Sequence, residues 1–339
     1  YKRQGQSDPS VKGDSIPDQL EINEYFDKIL FWIPVIFLPL FLFRAWQIYI
    51  SSNIDIFFVG LRTQLVYGDE NYGILIYLIT IAVFNSVFRL TLNLDTKSKK
   101  IKTVISLIVA IIYSVFSTSR TAFFFLLLTI LGLKIFRSQF KIRHLLLFTL
   151  LGISVYSIFD LLLAKSGSLD DPLLENVIDI QEIFLQYLLG PLAAFDRFLN
   201  EPSYMHFGDN VFRTFHVILH RLTLISTPPQ ELIQEFVPIP FLTNVYTVYY
   251  TYILDFGLIG AFIFIFLIGL FHSSLFHKAK SGDLYYIFFY AILVHPLITS
   301  FFNDQYFSIL SHWIQYFILG TLAFRFFVKK RMDTIETVT

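Results

Sequence analysis

The sequence contains no cysteine among its 339 residues. This absence excludes disulfide bonds, thiolate metal sites and thiol nucleophiles, although it does not identify the redox compartment. Charged residues are also scarce, at 15% of the chain, whereas soluble domains carry about 25%. Hydrophobic residues make up 55% of the chain and the mean hydropathy is +0.61, which excludes a soluble globular protein. The formal net charge is zero, so no bulk basic surface indicates a nucleic-acid partner.

Long apolar runs are what the sequence does contain. Because a membrane-spanning helix needs about 20 apolar residues, these runs predict an all-α, polytopic bundle with about eight spans. The first residue is Tyr1 and not Met, so we expect that N-terminal residues, which could include further membrane helices, precede this chain. The runs cover roughly residues 29–50, 72–94, 103–118, 120–136, 144–163, 245–271, 284–301 and 307–328.

Lysine and arginine clusters predict the orientation of these spans. They lie near residues 97–102, 134–143, 278–280 and 329–331, and the positive-inside rule makes those positions cytoplasmic. The turn that joins the third and fourth runs, residues 117–120, then points outward. The predicted organisation is a polar cytoplasmic loop or tail at 1–28, a five-span membrane domain at 29–163, an external loop at 164–243, a three-span membrane domain at 244–328 and a cytoplasmic tail at 329–339.

The external loop is predicted to contain amphipathic helices at 180–189 and 195–199, separated by Gly190 and Pro191. A third helix is predicted at 211–225, capped by Asp209 or Asn210 and ended by the prolines at 228–229.

The 211–225 helix has apolar residues on one side and polar residues on the other. Arg213, His216 and His220 share the polar side, and Arg221 lies at its edge. Two interpretations stay open. The helix lies on a membrane surface, or its cationic side faces a cleft and binds an anionic substrate. The two histidines have the spacing of a metal pair, but no glutamate follows the first one and no third ligand is evident, so no metal site is predicted.

Arginines on the predicted outer side are unusual, because basic residues concentrate on the inner side. Any one of them is accounted for by a snorkelling side chain or an ion pair. As a set they indicate phosphate binding, because a guanidinium group matches phosphate oxygens with two hydrogen bonds. The outward arginines are Arg44, Arg62, Arg120, Arg197, Arg213 and Arg221.

Three features resemble the bacterial oligosaccharide repeat-unit polymerases, the O-antigen polymerase (Wzy-like) family, which is related to the O-antigen ligases. They are Ser-Arg-Thr-Ala at 119–122 on an outward hairpin tip, one long outer loop in the C-terminal half, and Thr-Asn-Val-Tyr-Thr at 243–247 followed by Asp-Phe-Gly-Leu-Ile-Gly at 255–260. The ligases have a histidine before the asparagine and a glutamate about ten residues later. Thr243 and Asp255 occupy those positions here, which favours a polymerase.

The resemblance implies a GT-C-like, multi-pass glycosyltransferase of the bacterial cytoplasmic (inner) membrane. Its substrate would be an undecaprenyl-diphosphate-linked oligosaccharide, its partners would be membrane lipids and a chain-length regulator protein, and it would need no metal or other cofactor. An O-antigen ligase and a lipid-linked oligosaccharide flippase remain as alternatives.

Roles for individual residues follow from the expected reaction, in which arginines stabilise the leaving diphosphate and a base accepts the proton of the acceptor hydroxyl. The expected catalytic residues are Arg120, Arg221, His216, His220 and Asp255. The expected substrate-binding residues are Arg62, Arg213, Asn244, Tyr246 and Arg44.

Overall fold

The computed structural model describes residues 20–92, 96–136, 141–162, 173–200, 205–231, 234–239 and 242–330. Helices make up most of these ranges, which confirms the all-α prediction. The α-helices are α1 (Glu24–Ile36), α2 (Leu38–Ile50), α3 (Phe57–Tyr67), α4 (Tyr77–Leu92), α5 (Lys97–Phe116), α6 (Arg120–Phe136), α7 (Ile142–Leu162), α8 (Leu173–Asn200), α9 (Arg213–Arg221), α10 (Val248–Lys280), α11 (Leu284–Thr299) and α12 (Leu310–Leu322). A 3₁₀ turn at Gly73–Ile76 precedes α4, and a π-helical turn at Ala323–Phe327 follows α12.

Four helical stretches in the described part of the chain are long and apolar enough to cross a membrane, so this is a membrane protein. They are Glu24–Ile50, Gly73–Leu92, Ile142–Phe159 and Val248–Lys280. Helices α5, α6, α11 and α12 occupy the other predicted apolar runs.

Helices α4 and α11 lie at the centre of the bundle, and most of their side chains are buried. Helix α6 runs antiparallel to α11. The Phe125 ring lies 5.4 Å from the ring of His295, and the Phe136 ring lies 4.9 Å from that of Tyr290. Helices α5 and α6 form the expected hairpin and turn at residues 117–119. The bundle therefore has two distinct ends, and the hairpin turn marks one of them.

The opposite end brings the two ends of the described chain together. Strand β1 (Leu20–Ile22) pairs antiparallel with β4 (Val328–Lys330), and the rings of Phe26 and Phe327 stack at 4.0 Å. We call this the lysine-rich end, because Lys97 and Lys102 begin α5 there and Lys280 ends α10. The predicted tails at 1–28 and 329–339 lie largely outside the described residues. Residues 24–28 are helical and not a loop, because the Asn23 side chain caps α1 by accepting the main-chain N–H groups of Tyr25 and Phe26.

Two predictions about the external loop are wrong in detail. Helix α8 runs unbroken through Gly190 and Pro191. Proline removes one helical hydrogen bond. Contacts with neighbouring segments hold the part of α8 that follows the proline. The Phe198 ring lies 4.6 Å from that of Tyr250, and Arg197 Nη1 donates to the Pro238 carbonyl. Pro238 belongs to β2 (Val237–Pro238), which pairs with β3 (Leu242–Thr243).

Helix α9 is shorter than the predicted 211–225. Its N-terminus has no side-chain cap from Asp209 or Asn210, because residues 209–212 form turns. At the other end the chain stops being helical at Thr223, which has a φ of 57°, before the prolines are reached. The Leu224 N–H donates to the Leu219 carbonyl across this residue, which is the hydrogen bond of a Schellman ending.

A buried ion pair ties α1 to α4 at the lysine-rich end. Arg89 is 1% exposed, and its Nη2 lies 2.8 Å from Asp27 Oδ1. Lys102 Nζ lies 2.7 Å from the other oxygen of the same carboxylate. Arg89 Nε also donates to Asn85 Oδ1 at 2.8 Å. Asp27 is thus the counter-charge for two cations on two different helices.

We therefore expect Asp27→Asn to destabilise the protein by about 3 kcal/mol, because removing one partner of a buried pair leaves the other charge uncompensated. Thermal unfolding of the detergent-purified protein measures the loss. Glu24→Gln, on the same helix but with an 88% exposed side chain, serves as the control and should leave the melting temperature unchanged. Equal melting temperatures for the two variants would contradict the role of Asp27.

Candidate functional site

The candidate site is built on a break in α10. Gly257 has φ 66° and ψ −174°, which ends the helical geometry after residue 256. Glycine can adopt this conformation because glycine has no Cβ. The break removes helical partners from the carbonyls that precede it. His206 N donates to the Leu254 carbonyl and Phe207 N donates to the Asp255 carbonyl, both at 3.1 Å. The segment that leads into α9 is therefore docked on the broken helix.

The side chain of Asp255 completes this attachment. Its carboxylate is fully buried and accepts the main-chain N–H groups of Asn210 and Val211, at 3.1 and 2.7 Å, respectively. It also accepts Asn210 Nδ2 at 2.7 Å. Asp255 was expected to be a catalytic residue. The structure places it beneath the start of α9, where its hydrogen bonds hold the loop that orients this helix.

Helix α9 turns its polar side toward the protein and its apolar side outward. Phe215, Ile218 and Leu219 are 51%, 48% and 40% exposed, whereas Arg213 and His216 are half-buried. In water this orientation would be unfavourable. Next to the membrane domain it places the apolar side chains where lipid can cover them.

Residues 222–231 fold back across the polar side of α9. Arg213 Nε donates to the Gln230 carbonyl at 2.7 Å. The Nε2 atom of His216 lies 3.3 Å from both the carbonyl oxygen and Oγ1 of Thr227. His220 Nδ1 lies 3.3 Å from the Ile225 carbonyl. The polar side of α9 and this segment form one small layer.

His216 also faces an acidic side chain that the sequence indicated only as a helix cap. Its Nδ1 lies 3.7 Å from Asp209 Oδ1, and the Asp209 side chain is 45% exposed. The carboxylate is placed to stabilise a protonated imidazole. Arg221, the last residue of α9, is exposed.

The hairpin turn and α3 form a second group of candidate residues. Arg62, on α3, donates from Nη1 to the Thr118 carbonyl at 3.0 Å. Thr118 is buried and has a φ of 53°. Arg120 begins α6 directly after this turn and is half-buried. Arg62 and the turn residues therefore lie together, as the substrate hypothesis requires of them.

Arg44 belongs to a neighbouring structural contact. Its Nη2 forms an ion pair with Glu70 and also donates to the Asn71 carbonyl at 2.9 Å. These bonds attach α2 to the loop before α4. This arginine is held by an acidic partner.

Tyr246 and Asn244 lie on the segment that enters α10. Tyr246 is 4% exposed, stacks on Tyr250 with ring centroids 4.0 Å apart, and donates from its hydroxyl to the Glu235 carbonyl at 3.2 Å. This burial makes it a packing residue in this structure. Asn244 is half-buried, and its side chain forms no hydrogen bond with the residues described. Tyr249 is 46% exposed, as expected of an interfacial tyrosine.

Sequence reasoning missed Asp304, in the loop between α11 and α12. Its carboxylate is fully buried and accepts the Tyr252 hydroxyl and the Tyr306 main-chain N–H, both at 2.9 Å. It also accepts the N–H and hydroxyl of Ser308, each at 2.9 Å. The available signal was the polar Asn-Asp-Gln at 303–305 between two apolar runs. That sequence is typical of a simple exposed turn.

Both groups of candidate residues lie at the same end of the bundle. The antiparallel packing of α6 on α11 puts the start of α6 near the end of α11. There the Val248 N–H, which begins α10, donates to the Ser300 carbonyl at 2.9 Å. Asp255 is on the first, short half of α10, and α9 is attached to it. The hairpin turn and α9 thus share the end opposite the lysine-rich end.

Comparison of the chain with protein-family models, with curated protein sequences and with solved structures finds no match. Within the described ranges, no group of three or more histidine, aspartate or glutamate side chains is arranged to hold a metal ion. The function must therefore be inferred from the geometry of the chain itself.

We expect Asp255→Ala to release α9 from α10. Two buried main-chain N–H groups would lose their acceptor, at a cost of about 1–3 kcal/mol each. Hydrogen–deuterium exchange should then show faster exchange over residues 206–221, while α4 and α11 stay protected. Asp196→Ala, an exposed position on α8, is the control. Unchanged protection of residues 206–221 in Asp255→Ala would disprove the anchoring role.

Proposed function

We propose that the protein is an integral membrane glycosyltransferase that polymerises polyprenyl-diphosphate-linked oligosaccharide repeat units at the outer face of the bacterial cytoplasmic membrane. The observation that supports this most directly is the orientation of α9. Its side chains Arg213, His216 and His220 are half-buried at the same end of the bundle as Arg62 and Arg120, while its apolar side chains face outward. A lipid-linked anion needs a polar site beside an apolar surface, and this arrangement supplies both.

The proposal includes an eight-span topology of GT-C-like character. Each predicted apolar run is helical in the part of the chain that the structure describes. The pairing of β1 with β4 supports an even number of crossings, because both ends of the described chain then lie on one side. The lysine-rich end would be cytoplasmic. The hairpin turn and α9 would face outward, where the lipid-linked repeat units are joined.

In the proposed reaction, an acceptor hydroxyl attacks the anomeric carbon of the donor sugar. A new glycosidic bond forms, and the bond from that carbon to the diphosphate oxygen breaks with its electron pair. Polyprenyl diphosphate leaves as a stable anion, so charge stabilisation is the main requirement. Arg120 and Arg221 would supply it, assisted by Arg62. Each guanidinium can offer two hydrogen bonds to phosphate oxygens without being deprotonated.

The proton of the acceptor hydroxyl would pass to a histidine of α9, because histidine changes protonation near neutral pH. His216 is the first candidate, since Asp209 lies beside its Nδ1 and would stabilise the imidazolium that forms. His220 is the second. Arg44 and Arg213 hold neighbouring loops through their hydrogen bonds, and in the proposal they position the substrate-binding surface. Asn244 and Tyr246 would line the acceptor side.

We expect Arg120→Ala to lower the rate of chain extension by about 10²–10³, the usual cost of removing one group that stabilises developing negative charge. Purified protein is incubated with lipid-diphosphate repeat units in the presence of a chelator, and the product ladder is resolved by electrophoresis. Arg325→Ala, in the turn after α12 at the opposite end, is the matched control and should give the wild-type ladder. A wild-type ladder from Arg120→Ala would remove this residue from the mechanism. Transfer of a single glycan to a foreign acceptor only would indicate a ligase.

The histidine assignment predicts a separate effect. His216→Ala should lower the rate by about 10²–10⁴. The remaining activity should depend less on pH than the wild-type activity, because the group that must be unprotonated is gone. The rate of extension as a function of pH measures this, with His277→Ala at the opposite end of α10 as the control. Full activity in both His216→Ala and His220→Ala would refute the histidine base.

A further inference from the structure

An open groove runs along the outer surface of α1 and α5 at the lysine-rich end. Its volume is about 640 Å³, and its sides differ in chemistry. Apolar side chains line the part that extends toward the middle of the bundle. Lysine and serine side chains line the part at the end. The lining residues are Phe31, Trp32, Val35, Lys97, Ser98, Ile101, Lys102 and Ile105.

A second groove of about 410 Å³ lies on the adjacent side of α5 and shares several of these residues. It is lined by Lys97, Lys100, Ile101, Val104 and Ile105. The two grooves therefore border one helix. At their ends both are basic, and along their length both are apolar.

Among the described residues, cations outnumber carboxylates behind the groove. The carboxylate of Asp27 is shared between Arg89 and Lys102, so one anion faces two cations. Both cations lie against the ring of Phe31, at 5.3 and 5.7 Å from its centroid, respectively. The Nη1 atom of Arg89 is buried and has no hydrogen-bond partner among the described residues. Lys97, which is exposed, adds a further charge at the rim. An anionic group at the rim would reduce this imbalance.

We propose that the first groove binds an anionic phospholipid of the inner leaflet. Its phosphate would lie at Lys97, which lines both grooves, and at Lys100, which lines the second one, and an acyl chain would lie along Trp32, Ile101 and Ile105. The basic end and the apolar wall of the groove fit a ligand with a charged head and an apolar tail, which a soluble anion lacks. Basic pockets between helices on the cytoplasmic side are suited to anionic lipid headgroups. The site is at the end opposite α9, so it is independent of the proposed glycosyl transfer.

Trp32 provides a direct probe because it lines the groove and is 50% exposed. The chain has three tryptophans, so Trp46→Phe combined with Trp313→Phe leaves Trp32 as the only one. This protein is placed in phosphatidylcholine bilayers that contain increasing fractions of bromine-labelled phosphatidylglycerol or, separately, bromine-labelled phosphatidylcholine. Because the charged headgroup would contact two lysines, we expect phosphatidylglycerol to reach half-maximal quenching at a mole fraction about thirtyfold lower, which corresponds to about 2 kcal/mol.

A matched pair of variants separates this site from general attraction to a charged surface. Lys97→Gln with Lys100→Gln should abolish the preference for phosphatidylglycerol. Lys278→Gln with Lys280→Gln, which removes the same charge at the same end from α10, should preserve it. Native mass spectrometry of lipid retained by the otherwise unaltered chain, with and without Lys97→Gln and Lys100→Gln, gives a second measurement that does not depend on the tryptophan replacements.

Equal quenching by the two bromine-labelled lipids would overturn the proposal. So would an equal loss of preference in both lysine pairs, because only surface charge would then be acting. Displacement of phosphatidylglycerol by inorganic phosphate at matched ionic strength would show a phosphate site that does not use the apolar wall, and this too would overturn it.

Discussion

The attachment of α9 to α10 through Asp255 is the interaction on which the end of the bundle opposite the lysine-rich end depends. Breaking a helix inside a membrane protein leaves carbonyl groups without partners, and water is not freely available to satisfy them. Here the segment before α9 supplies those partners at Leu254 and Asp255. The carboxylate then binds two further N–H groups at the start of the loop. The break, the loop and the orientation of α9 are therefore one structural unit. Gly257 makes the unit possible because the required backbone conformation strains any residue with a Cβ.

Cationic side chains have different partners at the two ends of the bundle. At the lysine-rich end, Asp27 is paired with Arg89 and Lys102, and Lys97 and Lys102 line an open groove. At the opposite end, Arg44 and Arg213 are held by carbonyl oxygens or a carboxylate of adjoining loops. A guanidinium can keep such contacts and still present its remaining N–H groups, because it has five donors. Stable loops and anion binding are therefore compatible at this end.

The sequence predicts the helices well and their connections poorly. Apolar runs of membrane length identify the helices, since each is specified locally by hydrophobicity. The partners of Asp255 lie 45 residues earlier in the chain, at Asn210, and nothing in the periodicity of either segment indicates that they meet. The burial of Asp304 is equally hard to predict from the sequence, because a polar triplet between two apolar runs usually marks an exposed turn. The break expected at Gly190 and Pro191 is absent, because contacts from Phe198 and Arg197 keep α8 continuous.

The amphipathic pattern of α9 shows why a two-sided helix does not by itself reveal which side faces the protein. In a soluble protein, the apolar side of such a helix faces the core and the polar side faces water. Beside a bilayer the reverse is stable, because lipid can cover the exposed Phe215, Ile218 and Leu219 as well as a core would. The sequence left a surface helix and a cationic cleft as separate possibilities. In the structure the apolar side of α9 faces outward, as a helix on a membrane surface requires, and the polar side faces inward against residues 222–231. An interfacial helix of this kind can hold a charged headgroup at the level of the membrane surface while its lipid tail stays in the bilayer.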